Sequence, residues 1–302
     1  MVNSFIPYIL IVVMMYFSLR TSYLLTIALA IPAAGFLVRI FIIFHDCGHG
    51  SFFTSRRANN ILGFIAGLIT FAPYYHWNHQ HAMHHASSGD LDRRGMGDVW
   101  TLTVKEYEVL SKWRRLKYNI FRNPLIMLLI GPIYMFLISN CFVVGKATSR
   151  ERYHVYATNL GILVLAIVSS AVIGLKAYLL IQLPVIIIAG MVGVWLFYVQ
   201  HQFEGVYWAR HENWDFQHAA LEGSSFYQLP EVLQWFSGNI GFYHVHHLSS
   251  RIPNYYLEKC SNEIPEFQNV KPLTLLASFK CLKFRLWDEE NNKLVGFEYF
   301  RG

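Results

Sequence analysis

Charge is scarce in this chain. Of its 302 residues only 15% are Asp, Glu, Lys or Arg while 54% are hydrophobic, far from the balance of a water-soluble globular domain. Cysteine is scarce as well: Cys47, Cys141, Cys260 and Cys281 form no C-x-x-C pair and no disulfide-like framework, so nothing argues for an oxidising compartment. There is no G-x-G-x-x-G fingerprint for a flavin or nicotinamide domain and no fused cytochrome b5-like haem segment. No basic helix, zinc finger or RNA-binding signature points to nucleic acid. No Lys or Arg precedes the first apolar run, and although Ala28-Leu29-Ala30 imitates a cleavage site, a removable signal peptide is not expected.

What is present is long apolar sequence. A run of about 20 apolar residues crosses the hydrocarbon as a helix that satisfies its own backbone hydrogen bonds. Five runs qualify, at about 5–19, 23–44, 124–145, 155–175 and 177–198, with a weaker one at about 61–75. The first two are separated only by Ser18-Leu19-Arg20-Thr21-Ser22 and the last two by Gly174-Leu175-Lys176, so each pair reads as a tight hairpin.

Histidine is the second abundance. Eight of the 14 histidines fall in three short clusters: His45-Asp46-Cys47-Gly48-His49, His81-Ala82-Met83-His84-His85 and His244-Val245-His246-His247. If the helix continues through them, His45 and His49 project from one face and reach a shared metal. His81 and His85 form the same i, i+4 pair, whereas His84 lies about 100° around the helix from His85. Adjacent histidines on a helix do not easily serve one ion but can serve two neighbouring ions, and His246-His247 repeats the adjacent pair. Eight clustered histidines also exceed the three or four protein ligands of a single zinc, so the pattern predicts a dinuclear centre. Imidazole suits Zn, Cu, Fe and Ni alike. His201, just past the last run, stands where it could complete a coordination shell. His76, His79, His154, His211 and His218 read as interfacial, structural or surface residues. Asp46, Asp90, Asp92, Asp98, Glu204 and Asp215 lie near the clusters, where a carboxylate can brace a metal-bound imidazole or serve as an ordinary loop residue or cap.

A shared site constrains topology. Clusters one and two follow the second run and cluster three follows the fifth, so an odd number of crossings between them would put them on opposite sides. The third run is the exception: Gly131-Pro132 breaks it, and non-helical backbone at depth is tolerated when buried in protein. It is expected to be re-entrant or interfacial. Lys146, Arg150 and Arg152 follow it, whereas the hairpin turns carry one cation each, Arg20 and Lys176. By the positive-inside rule the histidine clusters face the cytoplasm, and the net charge of +6 suits anionic headgroups.

These residues resemble the membrane fatty-acyl desaturase and hydroxylase family, with its three histidine boxes H-x(3,4)-H, H-x(2,3)-H-H and H-x(2,3)-H-H. The likeness extends to Gly50-Ser51-Phe52-Phe53, to Leu91-Asp92-Arg93-Arg94-Gly95 through Gly97-Asp98-Val99-Trp100-Thr101, to Ile252-Pro253-Asn254-Tyr255 and to Leu286-Trp287-Asp288-Glu289. The last three are similar to bacterial relatives of Δ12 (ω-6) desaturases. The resemblance implies an all-α integral membrane protein forming a single domain over 1–302, with four transmembrane helices in two hairpins (about 5–19, 23–44, 155–175 and 177–198). Re-entrant or interfacial helices follow at about 61–75 and 124–145, and the metal site lies in a cytoplasmic helical cap (45–123 and 199–302). It implies two iron ions (Fe2+/Fe3+) held by His45, His49, His81, His84, His85, His201, His244, His246 and His247. One departure is plain: the family's third box starts four residues before its final histidine, and Tyr243 occupies that position, with His244 one place later.

The expected reaction makes a cis double bond in a long acyl chain while O2 is reduced to water. No side-chain acid or base removes hydrogen from an unactivated methylene, so the chemistry needs a redox metal in a dry, shaped channel. The substrate is a long-chain fatty acyl lipid or thioester. Electrons come from a separate ferredoxin- or cytochrome-type donor, for which Trp113-Arg114-Arg115-Leu116-Lys117 is one docking patch, and the same patch suits lipid headgroups. The expected location is a bacterial inner membrane. A related hydroxylase, acetylenase, or alkane or carotenoid oxygenase shares the boxes. A metal transporter would instead carry histidines inside its crossings, which these avoid.

Overall fold

The computed structural model describes residues 1–95, 98–143 and 147–301. Gly97 of the stretch from Leu91 to Thr101, the end of the 124–145 run and the cation Lys146 lie outside the described residues. The described chain forms two compact units: one of 1–79, 129–193 and 235–238, the other of 80–128, 194–234 and the residues from 239 onward.

In the first unit, α1 (Val2–Ser18) and α2 (Tyr23–His49) form the expected hairpin. Ser18 Oγ and Thr26 Oγ1 pin its turn, 2.8 Å apart. α2 runs five residues past the apolar stretch, because His45, Asp46 and Cys47 are all buried at its end. It stops at Gly50, whose φ of 70° is the left-handed conformation glycine adopts without penalty. α3 (Arg56–Thr70) is capped by Ser55, whose Oγ accepts from the Ala58 N–H. Gly63 lets the Tyr74 ring lie against α3, since a Cβ there would stand 2.2 Å from Tyr74 Cε2. The Tyr74 hydroxyl donates to the Cys47 carbonyl at 2.6 Å, which fixes the start of α4 (Tyr74–Ser87) against the end of α2.

The Gly131-Pro132 pair does not interrupt the 124–145 stretch where expected: the break, a 63° bend, lies between Lys112–Phe121 and Ile126–Cys141. A π-helical turn at Ile126–Ile130 precedes a short helix at Gly131–Leu137, with Pro132 in its first turn, and a 3-10 turn at Ser139–Cys141 follows. A long helix over Ser149–Ile173 begins six residues before its apolar run. Its extension is a capping box: Thr148 Oγ1 accepts from the Glu151 N–H while Glu151 Oε2 accepts from the Thr148 N–H. Gly174, at φ 86°, ends it, and a second long helix over Leu175–His201 carries His201 as its final residue. Among the described residues, three helices are long and apolar enough to cross a membrane: Tyr23–His49, Ser149–Ile173 and Leu175–His201. The count rises to four if the interrupted pair Lys112–Phe121 and Ile126–Cys141 is one span, and Val2–Ser18 is a shorter apolar helix.

The second unit is mostly helical, with two small sheets. β1 (Leu102–Thr103) pairs parallel with Leu286–Asp288, which pairs antiparallel with Lys293–Val295; Phe226–Gln228 pairs parallel with Pro272–Thr274. Trp287 is buried with Leu91, Val206, Trp208 and Leu294. The buried Arg122 guanidinium donates to Gln202 Oε1 at 2.8 Å and to the Phe284 carbonyl at 3.1 Å. A buried charge needs such partners, and here they tie the end of the Lys112–Phe121 helix to Gln202, just past Leu175–His201, and to the Phe284 backbone. Leu91 N–H donates to the Ala209 carbonyl and Ala209 N–H to the Gly89 carbonyl, both at 2.9 Å. These bonds dock the segment after α4 onto the strand-like stretch after His201.

Candidate metal centre

Within the second unit six imidazoles gather in two groups. His84, His201 and His247 form one, and His81, His85 and His246 belong to the other; within each group the facing nitrogens lie within 4.8 Å of one another. α4 supplies His81, His84 and His85, the long helix ending at His201 supplies that residue, and the six-residue helix Tyr243–Leu248 supplies His246 and His247. The adjacent pairs divide as their helical spacing requires: His84 and His247 enter one group, His85 and His246 the other.

The first group is sealed and braced. His84, His201 and His247 are 0%, 6% and 4% exposed. His84 donates from Nδ1 to Asp98 Oδ1 at 2.5 Å, and His201 Nδ1 faces the Gly223 carbonyl at 3.2 Å and Ser88 Oγ at 3.4 Å. These partners assign the N–H to Nδ1 in both rings, leaving lone pairs at Nε2. The two Nε2 atoms lie 3.0 Å apart. Two lone pairs at that distance repel unless a cation lies between them. His247 Nε2 is buried with no hydrogen-bond partner among the described residues. Burial, and then His85, His201, His84 and His246, hold His247 well below the ordinary imidazole range, so it offers a neutral ligand. Two donors bound about 2.1 Å from one ion at angles of about 90–109° stand about 3.0–3.4 Å apart. The donor set therefore fits a metal ion.

The second group has the same spacing: His85 Nε2 lies 3.1 Å from His81 Nε2 and 3.1 Å from His246 Nε2. It is more open, since His81 and His85 are only half-buried.

In the first unit, His45 and His49 share a face of α2 with ring centroids 4.8 Å apart. His45 Nδ1 lies 3.1 Å from Asp46 Oδ1.

His244 belongs to neither group among the described residues. Its buried ring packs between Phe226 and Phe267, at 5.5 and 5.8 Å, and burial lowers its pKa to about 4. Tyr243 faces the first group instead: its hydroxyl lies 3.4 Å from His201 Nε2 and 3.5 Å from His84 Nε2. Helical phase explains the exchange. Residues 243, 246 and 247 stand at i, i+3 and i+4 on one face, and residue 244 is turned about 100° away. Burial, then the Asp98 carboxylate, raises the Tyr243 phenol well above its ordinary range, so an ionised oxygen there requires a cation beside it.

The remaining histidines sit elsewhere. His76 and His79 lie 3.9 Å from Glu151, His154 stacks on Tyr75, His211 meets Asp90 at 2.8 Å and His218 meets Glu222 at 3.1 Å. Of the carboxylates, Asp98 braces His84 and Asp46 approaches His45. Asp92 joins Arg210, which also meets Glu289, and Asp215 caps the short helix Phe216–Leu221. Sequence reasoning did not single out the carbonyl of Gly223 or the hydroxyl of Ser88, because neither carries a side-chain signature and both arrive from distant segments.

A family model described as fatty acid desaturase matches residues 21–274. The chain belongs to the fatty acid desaturase family. It is 52% identical over 297 residues to a fatty acid desaturase of Bacillus subtilis, covering 98% of this chain and 84% of that one. It is 26% identical over 245 residues to an sn-1 acyl-lipid omega-3 desaturase (ferredoxin) of Synechocystis sp., covering 74% of this chain and 63% of the relative. A similar likeness, 26% over 247 residues and 65% of the relative, joins it to an sn-1 oleoyl-lipid 12-desaturase of the same organism. The chain spans less than two thirds of those two Synechocystis proteins. As a fatty acid desaturase it is an oxidoreductase.

Proposed function

We propose that this desaturase removes two hydrogens from adjacent methylenes of a long acyl chain and leaves a cis double bond. The balance is one CH2–CH2 unit, O2, two electrons and two protons giving CH=CH and two waters. Two iron ions bound by His84, His201 and His247 and by His81, His85 and His246, with His45 and His49 added as the box resemblance implies, would supply the redox power for that abstraction. The observation that carries the reading is the division of adjacent histidines between two groups at ligand–ligand spacing.

The chain's own groups do the rest. Asp98 and the Gly223 carbonyl hold two imidazoles in the tautomer that presents Nε2. Phe197, 5.2 Å from the His84 ring, helps to keep the sealed group dry. Four crossings, α1 with α2 and Ser149–Ile173 with Leu175–His201, leave the histidine-bearing segments on one face, which the cations Arg150 and Arg152 favour as cytoplasmic. The cap is residues 45–123 and 199–302, the segments at 61–75 and 124–145 are interfacial or re-entrant, and the host membrane is a bacterial inner membrane. The acyl substrate is lipid- or thioester-linked, and the two Synechocystis relatives favour an acyl lipid. The donor is a ferredoxin- or cytochrome-type protein, ferredoxin being the one named for a relative. Its docking surface is the helix Lys112–Phe121, where Trp113 is 64% exposed among Arg114, Arg115 and Lys117.

Mass spectrometry of products from an isotopically labelled C16 or C18 acyl lipid tests this. An alkene two mass units lighter is expected; an alcohol with no alkene overturns it in favour of a hydroxylase.

A further inference from the structure

We infer that Tyr243 is an oxygen ligand to the metal held by His84, His201 and His247, making that ion's coordination mixed imidazole and phenolate. The inference rests on the metal reading proposed above and goes beyond its histidine-only ligand set.

The argument is geometric. The Tyr243 hydroxyl stands 3.4 Å from His201 Nε2 and 3.5 Å from His84 Nε2, while those two nitrogens are 3.0 Å from each other. All three separations fit donors sharing one ion at about 2.1 Å, with donor–ion–donor angles of about 90–113°. The polar end of the phenol, and not only its ring, faces the two nitrogens. The Tyr243 ring lies 4.4 Å from that of His247 and 5.1 Å from that of His201, and the residue is 2% exposed, so its orientation is fixed by packing. On their common helix Tyr243 stands one turn before His246 and His247 and shares their face, whereas His244 is committed to Phe226 and Phe267.

Both Nδ1–H groups are engaged, His84 with Asp98 and His201 with Gly223, so the Nε2 lone pairs of both rings face the Tyr243 oxygen. Coordination exchanges the phenol O–H bond for an oxygen–metal bond and releases one proton to solvent, with no change of oxidation state.

The test is spectroscopic and independent of turnover. Full-length protein in detergent, loaded with iron and oxidised in air, should show a visible phenolate-to-Fe(III) charge-transfer band, and excitation into it should enhance phenolate ring modes in the Raman spectrum. Tyr243→Phe should lose the band and keep two irons. Tyr243→His, which restores a nitrogen donor, should do the same and serves if the phenylalanine variant fails to fold. His244→Ala should keep the band. Two bound irons with no such band in the unmodified protein, or a band that survives both Tyr243 variants, overturns the ligand assignment alone. A protein that binds no iron overturns it together with the metal reading.

Discussion

The two imidazole groups of the second unit share their spacing but differ in how they are held. His84, His201 and His247 are sealed, two of them braced through Nδ1 by a carboxylate and a backbone carbonyl, with the Tyr243 oxygen at the rim. His81, His85 and His246 keep nearly the same nitrogen–nitrogen distance with two rings half-exposed. The difference teaches that ligand spacing and ligand rigidity have separate origins. Spacing follows from helical phase on α4 and on Tyr243–Leu248. Rigidity comes from segments far away in sequence, Asp98 and Gly223, which only the folded chain brings near. On the proposed reading, the braced, dry group would hold its ion more tightly than the open one.

The largest effect expected from breaking this contrast is on His84. His84→Ala removes a buried ligand and its brace together, and should take product formation below detection while the protein still inserts in the membrane; full turnover would refute its assignment. His85→Ala in the open group should match it, since both ions are needed. Next comes Asp98→Asn, which keeps the shape but weakens the brace on His84: iron affinity should fall about 10–100-fold, read by titration against a competing chelator. An unchanged affinity would mean that the 2.5 Å contact does not tune the ligand. A smaller effect is kinetic. A water-soluble chelator should extract iron in two phases, the open group releasing first, and single-phase loss would erase the distinction. Smallest is His244→Ala, for which iron content should stay at the unmodified level and product formation should change by no more than a few-fold.

Although the break beside the 124–145 run falls at 122–125 and not at Gly131-Pro132, the hairpins were legible, because apolar runs joined by short turns are locally encoded. Their ends were not. α2 continues through His49 past the buried His45, Asp46 and Cys47, and the last long helix through the buried His201, polar ends that hydropathy counts as the edge of a run. The division of His84 from His85 could be read from a helical wheel, whereas the roles of Tyr243 and His244 depended on the phase of a helix only six residues long. Among the carboxylates near the clusters, nothing in the sequence set Asp98 apart from Asp92, which turned out to face Arg210. Non-local partners decide such roles, and local pattern carries no trace of them.

The central claim is that the histidines hold two redox-active ions. Elemental analysis of the purified full-length protein, with metal expressed per chain, tests it most directly. Two irons per chain is the expected result, falling in His84→Ala. A single zinc with no iron would contradict the account.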